Sequence, residues 1–403
     1  MGGGLLQLVA YGAQDVYLTG NPQITYFKIV YRRHTNFSME AIENTFSGQV
    51  DFGRKVTCTI SRNGDLIHRM YVQVKLPDVT VPDTKTFNWV KWVGHALIKS
   101  VTIEIGGQAI DKHYGEWLHI WNELTQPTGK QGGYADMVGN VTELMGNGAN
   151  TTGADKVISG RTLYIPLQFW FCRNPGLALP LIALQYHEVR VNVEFNEKSM
   201  LYITDDATID VDPLKEGSLF VDYIYLDTDE RRRMAQVSHE YLIEQLQFPG
   251  PTGTSEAMVR PKLIFNHPCK EFIWTAQPTA RRTAKDWFNF AENADGTVNP
   301  VEFAKLQLNG HERMAQREGR YFSLVQPYQH HENIPSSAGI NLYSFALKPE
   351  EHQPSGTLNA SRIDNATLQV NFANAAEREL RVYAVNYNVL RVMSGMGGLS
   401  FAN

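Results

Sequence analysis

The residues of this chain most able to do chemistry form a short run of metal-ligand types. His330, His331 and Glu332 are consecutive, and imidazole and carboxylate groups are ligands that zinc accepts. If the segment is extended, neighbouring side chains point to opposite sides of the backbone, so the three groups do not converge on one ion. Neither residues 311–312 nor His352 adds a recognised spacing. We therefore expect no metal site.

Motifs for nucleotide binding and hydrolysis are also absent from the sequence. Gly129 and Lys130 resemble the end of a P-loop, but Leu124 stands where its first glycine belongs and Gln131 replaces Ser or Thr. The chain has no His-Glu-x-x-His motif, no Gly-x-Ser-x-Gly elbow and no His-x-His pair. We therefore predict no catalytic residue, no cofactor and no enzymatic activity.

The composition argues against several classes of protein. The chain has 403 residues, of which 43% are hydrophobic, and a formal net charge of −5. Nucleic-acid-binding domains are usually basic, so we expect no direct, specific binding of nucleic acid. The cysteines Cys58, Cys172 and Cys269 are far apart. This spacing predicts buried thiols in a reducing compartment rather than a disulfide framework or a zinc site.

The start of the chain predicts an arm, residues 1–25, rather than a targeting segment. Glycines follow Met1 where a signal peptide has a basic region, and no apolar run is long enough to span a membrane. Position 6 is Leu, where a myristoylation signal has Ser or Thr. Tyr26–Arg33 mixes aromatic and basic residues and has two interpretations. It is either a basic arm that touches phosphates or lipid head groups, or a first strand with solvated charges.

A turn followed by a strand occurs twice in the sequence. Residues 353–365 are rich in turn formers, and residues 366–372 alternate apolar and polar side chains, which indicates a strand with one buried face. Residues 176–195 carry the same pattern, with Phe372 falling on Phe195 at an offset of 372 − 195 = 177. The match predicts an internal duplication.

Three further segment pairs keep the same order along the chain. Their offsets are 278 − 77 = 201 for residues 70–77 and 271–278, 310 − 107 = 203 for residues 101–107 and 304–310, and 385 − 221 = 164 for residues 221–223 and 385–387. Two copies of one domain, with a longer insertion in the first, would produce this series. The predicted domains are residues 26–227 and 246–403, joined by a linker helix at 228–245.

Local patterns predict the other elements. Asn63–Gly64 lies between two strand patterns and predicts a hairpin turn. Residues 116–124 have apolar side chains at helical spacing and predict a short helix. The eight glycines of residues 126–160 predict a long surface loop without regular structure. Thr228 or Asp229 would cap the linker helix.

Many short strands separated by frequent turns form sandwiches or barrels, because each sheet has one apolar face that a second sheet must cover. The predicted fold class is therefore all-β. It consists of two tandem eight-stranded antiparallel jelly rolls with long inter-strand loops and a few short helices.

Six motifs distributed over the chain resemble those of a known family. They are residues 19–25 (Thr-Gly-Asn-Pro-Gln-Ile-Thr), 227–233 (Asp-Thr-Asp-Glu-Arg-Arg-Arg), 267–271 (His-Pro-Cys-Lys-Glu), 308–313 (Leu-Asn-Gly-His-Glu-Arg), 353–368 (from Gln-Pro-Ser-Gly to Asn-Ala-Thr-Leu) and 386–390 (Asn-Tyr-Asn-Val-Leu). With these motifs the chain resembles the major capsid proteins of nucleocytoplasmic large DNA viruses, especially the algal and giant-virus members.

The resemblance implies two jelly rolls side by side and a structural role. Three copies would form a homotrimer with a pseudo-hexagonal outline, and such capsomers would tile an icosahedral virion shell over an internal membrane. The implied partners are neighbouring capsomers, minor capsid proteins and, near residues 1–25, the viral membrane. The implied location is the virion capsid, assembled in the host cytoplasm. Residues 126–160 and 280–300 would be outward-facing loops.

Two questions remain open at this point. Trp287, Phe288 and Phe290 lie in a polar insertion, and they either anchor neighbouring subunits or pack the insertion on its own domain. The alternative function is a tandem jelly-roll protein that binds or hydrolyses glycans. That function needs paired carboxylates or aromatic platforms in a cleft, which the scattered acidic residues neither provide nor exclude.

Overall fold

The computed structural model describes residues 2–146, 148–151 and 153–402 of the chain. The chain divides at Asn36 into two units. The first unit contains two short helices, α1 (Gly3–Val9) and α2 (Val16–Thr19), joined by turns. Residues 26–36 are described and form no strand, so the interpretation of Tyr26–Arg33 as a first strand is wrong. The first strand begins at Phe37.

The N-terminal half of the second unit consists of short strands with a few helices between them. Its strands are β1 (Phe37–Thr45), β2 (Lys55–Thr59), β3 (Leu66–Lys75), β4 (Val79–Val81), β5 (Phe87–Trp89), β6 (Ile98–Ile105), β7 (Gln108–Tyr114), β8 (Lys156–Ile158), β9 (Thr162–Pro166), β10 (Leu179–Pro180), β11 (Val189–Phe195), β12 (Tyr202–Thr204) and β13 (Glu216–Leu226). Its helices are α3 (Val93–Leu97), α4 (Gly115–Thr125), α5 (Thr128–Met137), α6 (Thr142–Met145) and α7 (Trp170–Arg173).

The C-terminal half begins with a helix and continues as strands. Its helices are α8 (Thr228–Gln236), α9 (Thr279–Thr283), the π-helical turn Tyr321–Val325 and α10 (Gln326–His330). Its strands are β14 (His239–Gln247), β15 (Thr252–Thr254), β16 (Met258–Val259), β17 (Lys262–Leu263), β18 (Pro268–Pro278), β19 (Val301–Leu308), β20 (His311–Glu312), β21 (Arg317–Glu318), β22 (Ile340–Ser344), β23 (Leu358–Asn359), β24 (Ala366–Phe372), β25 (Arg378–Met393) and β26 (Met396–Leu399).

The two halves have the same strand order. The main sheets of the first half run β1-β13-β3 with β9 and β10 beside β3, and β2-β11-β6-β7. Those of the second half run β14-β25-β18-β22, and β16/β17-β24-β19-β20. Counted along the chain, the eight main strands are β1, β2, β3, β6, β7, β9, β11 and β13 in the first half and β14, β16/β17, β18, β19, β20, β22, β24 and β25 in the second. In this count the two sheets of each half have the order 1-8-3-6 and 2-7-4-5. This is the connectivity of a jelly roll, so the predicted fold class is confirmed.

The repeat predicted from the sequence pairs strands that are equivalent in the two rolls. However, its alignments at the offsets of 201 and 164 are one residue out of register. β11 and β24 occupy the same position in their sheets, as do β6 and β19. At the offset of 201, Val72 would match Ile273. However, Val72 faces its own roll's core, whereas Trp274, one residue further on, belongs to the second roll's core and Ile273 does not. An offset of 202 keeps the buried faces aligned, because neighbouring strand residues face opposite ways.

Asn63–Gly64 does not form the predicted hairpin. The strands on either side, β2 and β3, belong to different sheets, so the turn carries the chain from one sheet to the other. Gly64 lacks the positive φ that a two-residue hairpin turn requires. A glycine is needed here for space, because a Cβ at position 64 would lie 2.8 Å from Cβ of Tyr223.

The stretch 126–160 is more ordered than its glycine content predicted. It contains α5, α6 and β8, so the expectation of a loop without regular elements is wrong. Tyr134 is the buried residue of α5, and its hydroxyl hydrogen-bonds His95 Nε2 at 2.8 Å. This tertiary contact compensates for the low helix propensity of the three glycines in α5. In contrast, the short helix predicted at residues 116–124 is confirmed as α4.

The helix predicted over residues 228–245 is too long and its cap is misplaced. α8 ends at Gln236, and residues 239–247 form β14, which pairs along its whole length with β25. The ladder of backbone hydrogen bonds to β25 outweighs the weak helical periodicity of this stretch. Asp227 caps the helix by accepting a hydrogen bond from the Thr228 N–H.

The apolar core is continuous between the two rolls. One cluster of buried side chains fills the first roll and extends to Ile273, Tyr383 and Val385 on the second roll's main sheet, while a second cluster lies between the two sheets of the second roll. The three cysteines are free and buried, as predicted. The rolls therefore pack as one body through apolar contact.

Candidate functional surfaces

The first surface of interest is the junction between the rolls, where one roll covers the sheet edge of the other. β14 forms the edge of its sheet. The Leu246 N–H donates a 3.0 Å hydrogen bond to Oδ1 of Asp111, in the middle of β7. The Gln245 side-chain amide donates to the carbonyl oxygen of Ile110, also on β7. An uncovered edge strand exposes unpaired backbone N–H and C=O groups. Here Asp111 of β7 provides the hydrogen-bond acceptor for one such group, the Leu246 N–H.

α4 of the first roll covers the outer face of the second roll's sheet, the face turned away from that roll's own core. The Trp117 ring lies 5.5 Å from the Tyr383 ring, and both side chains are buried. At the start of the helix the Glu116 carboxylate pairs with the Arg381 guanidinium and accepts a hydrogen bond from the Thr275 hydroxyl at 3.4 Å. The junction therefore combines an apolar centre with a charged pair.

The aromatic residues of the insertion 280–300 also belong to this junction. Trp287 Nε1 donates to the Met200 carbonyl oxygen at 2.8 Å, and the Phe288 ring lies 4.6 Å from the His119 ring. Phe290 is fully buried in the same cluster. These contacts join the second roll's insertion to the first roll. Neither interpretation offered by the sequence, packing on its own domain or anchoring a neighbour, describes them.

A buried cluster of charged side chains lies near the junction and centres on Glu244. Its carboxylate contacts Arg173 Nη1 and Lys270 Nζ at 2.9 Å each, and His352 Nδ1 at 3.3 Å. Burial alone would raise the pKa of Glu244, but the His352 hydrogen bond and the charges of Arg173 and Lys270 outweigh it and lower the pKa to about 2. Glu244 is therefore ionised and ties α7 of the first roll to β14 and β18 of the second.

His331, the residue most suggestive of a metal ligand, is part of a second buried cluster. Its Nε2 lies 2.8 Å from Glu271 Oε2, and its Nδ1 lies 2.8 Å from Glu350 Oε1. Burial lowers the pKa of His331, but the charges and hydrogen bonds of Glu271 and Glu350 outweigh burial and raise the pKa to about 9. Both ring nitrogens are therefore engaged by carboxylates of the chain itself.

The neighbours of His331 point elsewhere, although His330 ends helix α10 and the segment is not extended throughout. His330 Nδ1 hydrogen-bonds the Leu347 carbonyl oxygen, and the side chain of Glu332 is exposed. Within residues 2–146, 148–151 and 153–402, no group of three His, Cys, Asp or Glu side chains is placed to hold a metal ion. Sequence reasoning missed the partners of His331 because Glu271 is 60 residues away in the chain.

The first unit, residues 2–36, presents its apolar side chains to solvent. None of its described residues is buried. The exposed large apolar residues are Leu5, Leu6, Leu8, Val9, Tyr11, Val16, Tyr17, Leu18, Ile24, Tyr26, Phe27, Ile29, Val30 and Tyr31. Lys28, Arg32 and Arg33 add positive charge to the same stretch. No helix in the described part of the chain is long and apolar enough to cross a bilayer.

Two family models together match almost the whole chain. The model for "Major capsid protein N-terminus" matches residues 25–227, and the model for "Large eukaryotic DNA virus major capsid protein" matches residues 230–398. The boundary between the matches falls at the start of α8, between the two rolls.

Curated relatives and a solved structure that resemble this chain are also viral capsid proteins. The major capsid protein of Pyramimonas orientalis virus is 56% identical, and that of Paramecium bursaria Chlorella virus 1 is 44% identical, each match covering 100% of both chains. A chain of the quasi-atomic model of the PBCV-1 virus capsid superposes with a TM-score of 0.77 at 37% identity, covering 94% of this chain and 100% of that chain.

Proposed function

Since this chain belongs to the family of large eukaryotic DNA virus major capsid proteins, we propose that three copies form a pseudo-hexagonal capsomer and that capsomers tile an icosahedral shell. The chain is a structural component of the virion capsid and not an enzyme.

The duplicated strand order is the observation that supports this assembly. Two rolls with the same connectivity lie in one chain, so a closed ring of three chains contains six similar bodies. Homo-oligomers favour closed point-group symmetry, and stable interfaces of this kind bury about 2,000 Å² or more per pair. A three-fold particle with a nearly six-fold outline can then pack on a flat hexagonal lattice.

Mass measurement tests the trimer. The chain mass is 45.5 kDa, so 3 × 45.5 gives about 136 kDa for a trimer. Multi-angle light scattering of the purified protein at micromolar concentration is expected to give that value. A stable monomer at this concentration would contradict the proposed assembly.

The arm is proposed to contact the internal membrane or minor capsid proteins beneath the capsomer. Nine large apolar side chains of residues 1–25 are exposed. The adjoining residues 26–33 add five more and three basic residues, and both stretches support this role. Apolar side chains next to cations bind anionic lipid surfaces, and the same apolar groups can dock on a protein groove. Residues 26–36 connect the arm to the first roll, residues 37–226, which α8 joins to the second roll, residues 239–399.

We further propose that assembly takes place in the host cytoplasm without specific binding of nucleic acid by this chain. Its net charge of −5 disfavours nonspecific attraction to phosphate backbones. Three buried free thiols suit a reducing compartment.

A further inference from the structure

The two rolls differ in how well their equivalent sheet edges are covered. β14, at the edge of the second roll's sheet, has β7 of the first roll against it. β1 occupies the same position in the first roll's sheet and pairs only with β13 among the described strands. Seven of its nine residues are exposed. A nine-residue exposed edge with unpaired backbone groups invites another strand or chain segment.

The outer face of the same sheet is uncovered as well. Phe220 on β13 takes the place of Tyr383 on β25, because both lie on the last main strand and face away from their own roll's core. Tyr383 is buried under Trp117, whereas Phe220 is only half-buried. Phe220 stacks on Tyr71 at 5.1 Å, and Tyr71 lies 6.0 Å from Tyr164, which is 39% exposed. Three aromatic rings thus form an open patch beside β1.

The second roll has a counterpart of the covering helix α4, with no surface to cover within the described part of the chain. α4 follows β7, the fifth main strand of its roll, and the π-helical turn with α10 follows β20, the fifth main strand of the other roll. Phe322 anchors this segment by packing 5.1 Å from Trp274. The side chains of Leu324, Val325 and Tyr328 remain exposed, Tyr328 by 76%.

The charges on these two surfaces are complementary. Glu40 and Glu43 are exposed on β1, and Asp222 lies beside Tyr71 on the open face. Near the apolar side chains of the second roll, Arg313, Arg317 and Arg320 are exposed and outnumber Glu318, the one acidic residue of residues 313–328. In the junction inside the chain the signs are reversed, because the covering helix carries Glu116 and the covered sheet carries Arg381.

We infer that β1 and the aromatic patch of Tyr71, Tyr164 and Phe220 in one subunit are covered by residues 313–328 of a second copy of this chain. The contact repeats between subunits the arrangement that α4 and β7 make within the chain. It joins unlike surfaces, so it propagates head to tail and closes only as a ring. The inference rests on the proposed trimer and assigns the interface between its subunits. Because the charges are reversed, the surfaces that meet within a chain are not complementary to those that meet between chains, which disfavours wrong pairing.

Substitution of an exposed residue tests the assignment. Tyr328→Glu places a charge in the apolar contact and is expected to raise the trimer's dissociation concentration at least about tenfold, since buried aromatic anchors dominate interface energies. Ile264→Glu is the matched control, because Ile264 is 71% exposed between β17 and β18 and is not a residue of either surface. Light scattering over a dilution series measures both variants. Equal dissociation of the variant and the control would overturn the assignment.

Cross-linking tests the assignment without depending on a destabilised variant. A protein carrying both Tyr164→Cys and Tyr328→Cys is treated with a short bismaleimide, and the three native cysteines stay unreactive because they are buried. Head-to-tail contact predicts covalent dimers and closed trimers on a denaturing gel, and no cross-linked species from either single variant. Trimers in solution without these products would refute this interface alone. A monomeric parent protein would instead refute the proposed function.

Discussion

At the scale of single residues, buried charge is the feature with the largest expected effect on stability. Glu244 and Lys270 are almost completely buried, and their contact of 2.9 Å joins β14 to β18. Removing one partner of a buried pair costs much more than the pair contributes, because the remaining charge has no water to solvate it.

Glu244→Gln tests this expectation. The change leaves Lys270 and Arg173 without their carboxylate, and the free energy of unfolding is expected to fall by about 3–5 kcal/mol. Chemical denaturation at one fixed protein concentration measures it. Glu240→Gln on the same strand is the control, because its ion pair with Arg391 is solvent-exposed and contributes about 0–1 kcal/mol. Equal losses in the two variants would contradict a structural role for the buried cluster.

His331 makes stability depend on pH. Its pKa is raised from 6.5 to about 9 in the folded chain. The stability that it contributes is therefore fully present below about pH 6.5 and is lost as the pH rises through about 9. We expect His331→Gln to destabilise the protein more near pH 6.5 than near pH 9, as measured by urea unfolding at both pH values.

The exposed His311 provides the comparison for that experiment. His311→Gln is expected to follow the parent protein across the whole pH range, since the side chain lies in solvent. If the difference between the parent and His331→Gln were the same at every pH, the coupling to Glu271 and Glu350 would be refuted.

Neither buried cluster could be located from the sequence. The partners of Glu244 are 26, 71 and 108 residues away from it, and no local pattern links such positions. The sequence did show that His330, His331 and Glu332 diverge on an extended chain. It did not show that α10 ends at His330 and turns His331 into the protein.

At the scale of elements, alternation of apolar and polar residues identified strands but not their neighbours. The pattern of β24 and β11 was readable because one face of each strand is buried in a core. The ends of α8 and the helices inside residues 126–160 were missed because tertiary contacts, such as the pairing of β14 with β25, overrode local propensity.

The turn between β2 and β3 offers a test at this scale. Gly64→Ala adds a Cβ within 2.8 Å of Cβ of Tyr223, and overpacking of this kind is expected to cost about 1–3 kcal/mol of unfolding free energy. Gly129→Ala in α5 is the control, since no atom lies within 4 Å of the point that its new Cβ would occupy and alanine favours a helix. A thermal melt in which Gly64→Ala matched Gly129→Ala would contradict the packing argument.

The arm offers a second element-scale test. Deletion of residues 2–20 removes eight exposed large apolar residues, so binding to anionic liposomes or to minor capsid proteins is expected to weaken while the trimer persists. Co-flotation with liposomes and light scattering measure the two properties on the same sample. Dissociation of the trimer by the deletion would instead make the arm part of the subunit interface.

At the scale of the whole molecule, the duplication is what the sequence conveyed best. Four segment pairs in a constant order were enough to predict two rolls of one kind, and the strand order confirms the fold. How the rolls pack was not readable, because α4, β7 and the insertion with Trp287 contact residues of the other roll that lie far away in the chain.

The continuous core has a consequence for the assembled protein. Because apolar side chains of both rolls share one cluster, the angle between the rolls is fixed inside each chain. In the proposed trimer, a rigid angle between two similar bodies would let three chains close into one defined ring, because each contact between chains would need only to repeat the contact within them.

Electron microscopy of the purified protein tests the central claim most directly. Class averages are expected to show a particle with three-fold symmetry and a nearly hexagonal outline, built from six bodies of similar size. Averages that showed isolated two-lobed particles, or rings with a number of lobes other than six, would contradict the account.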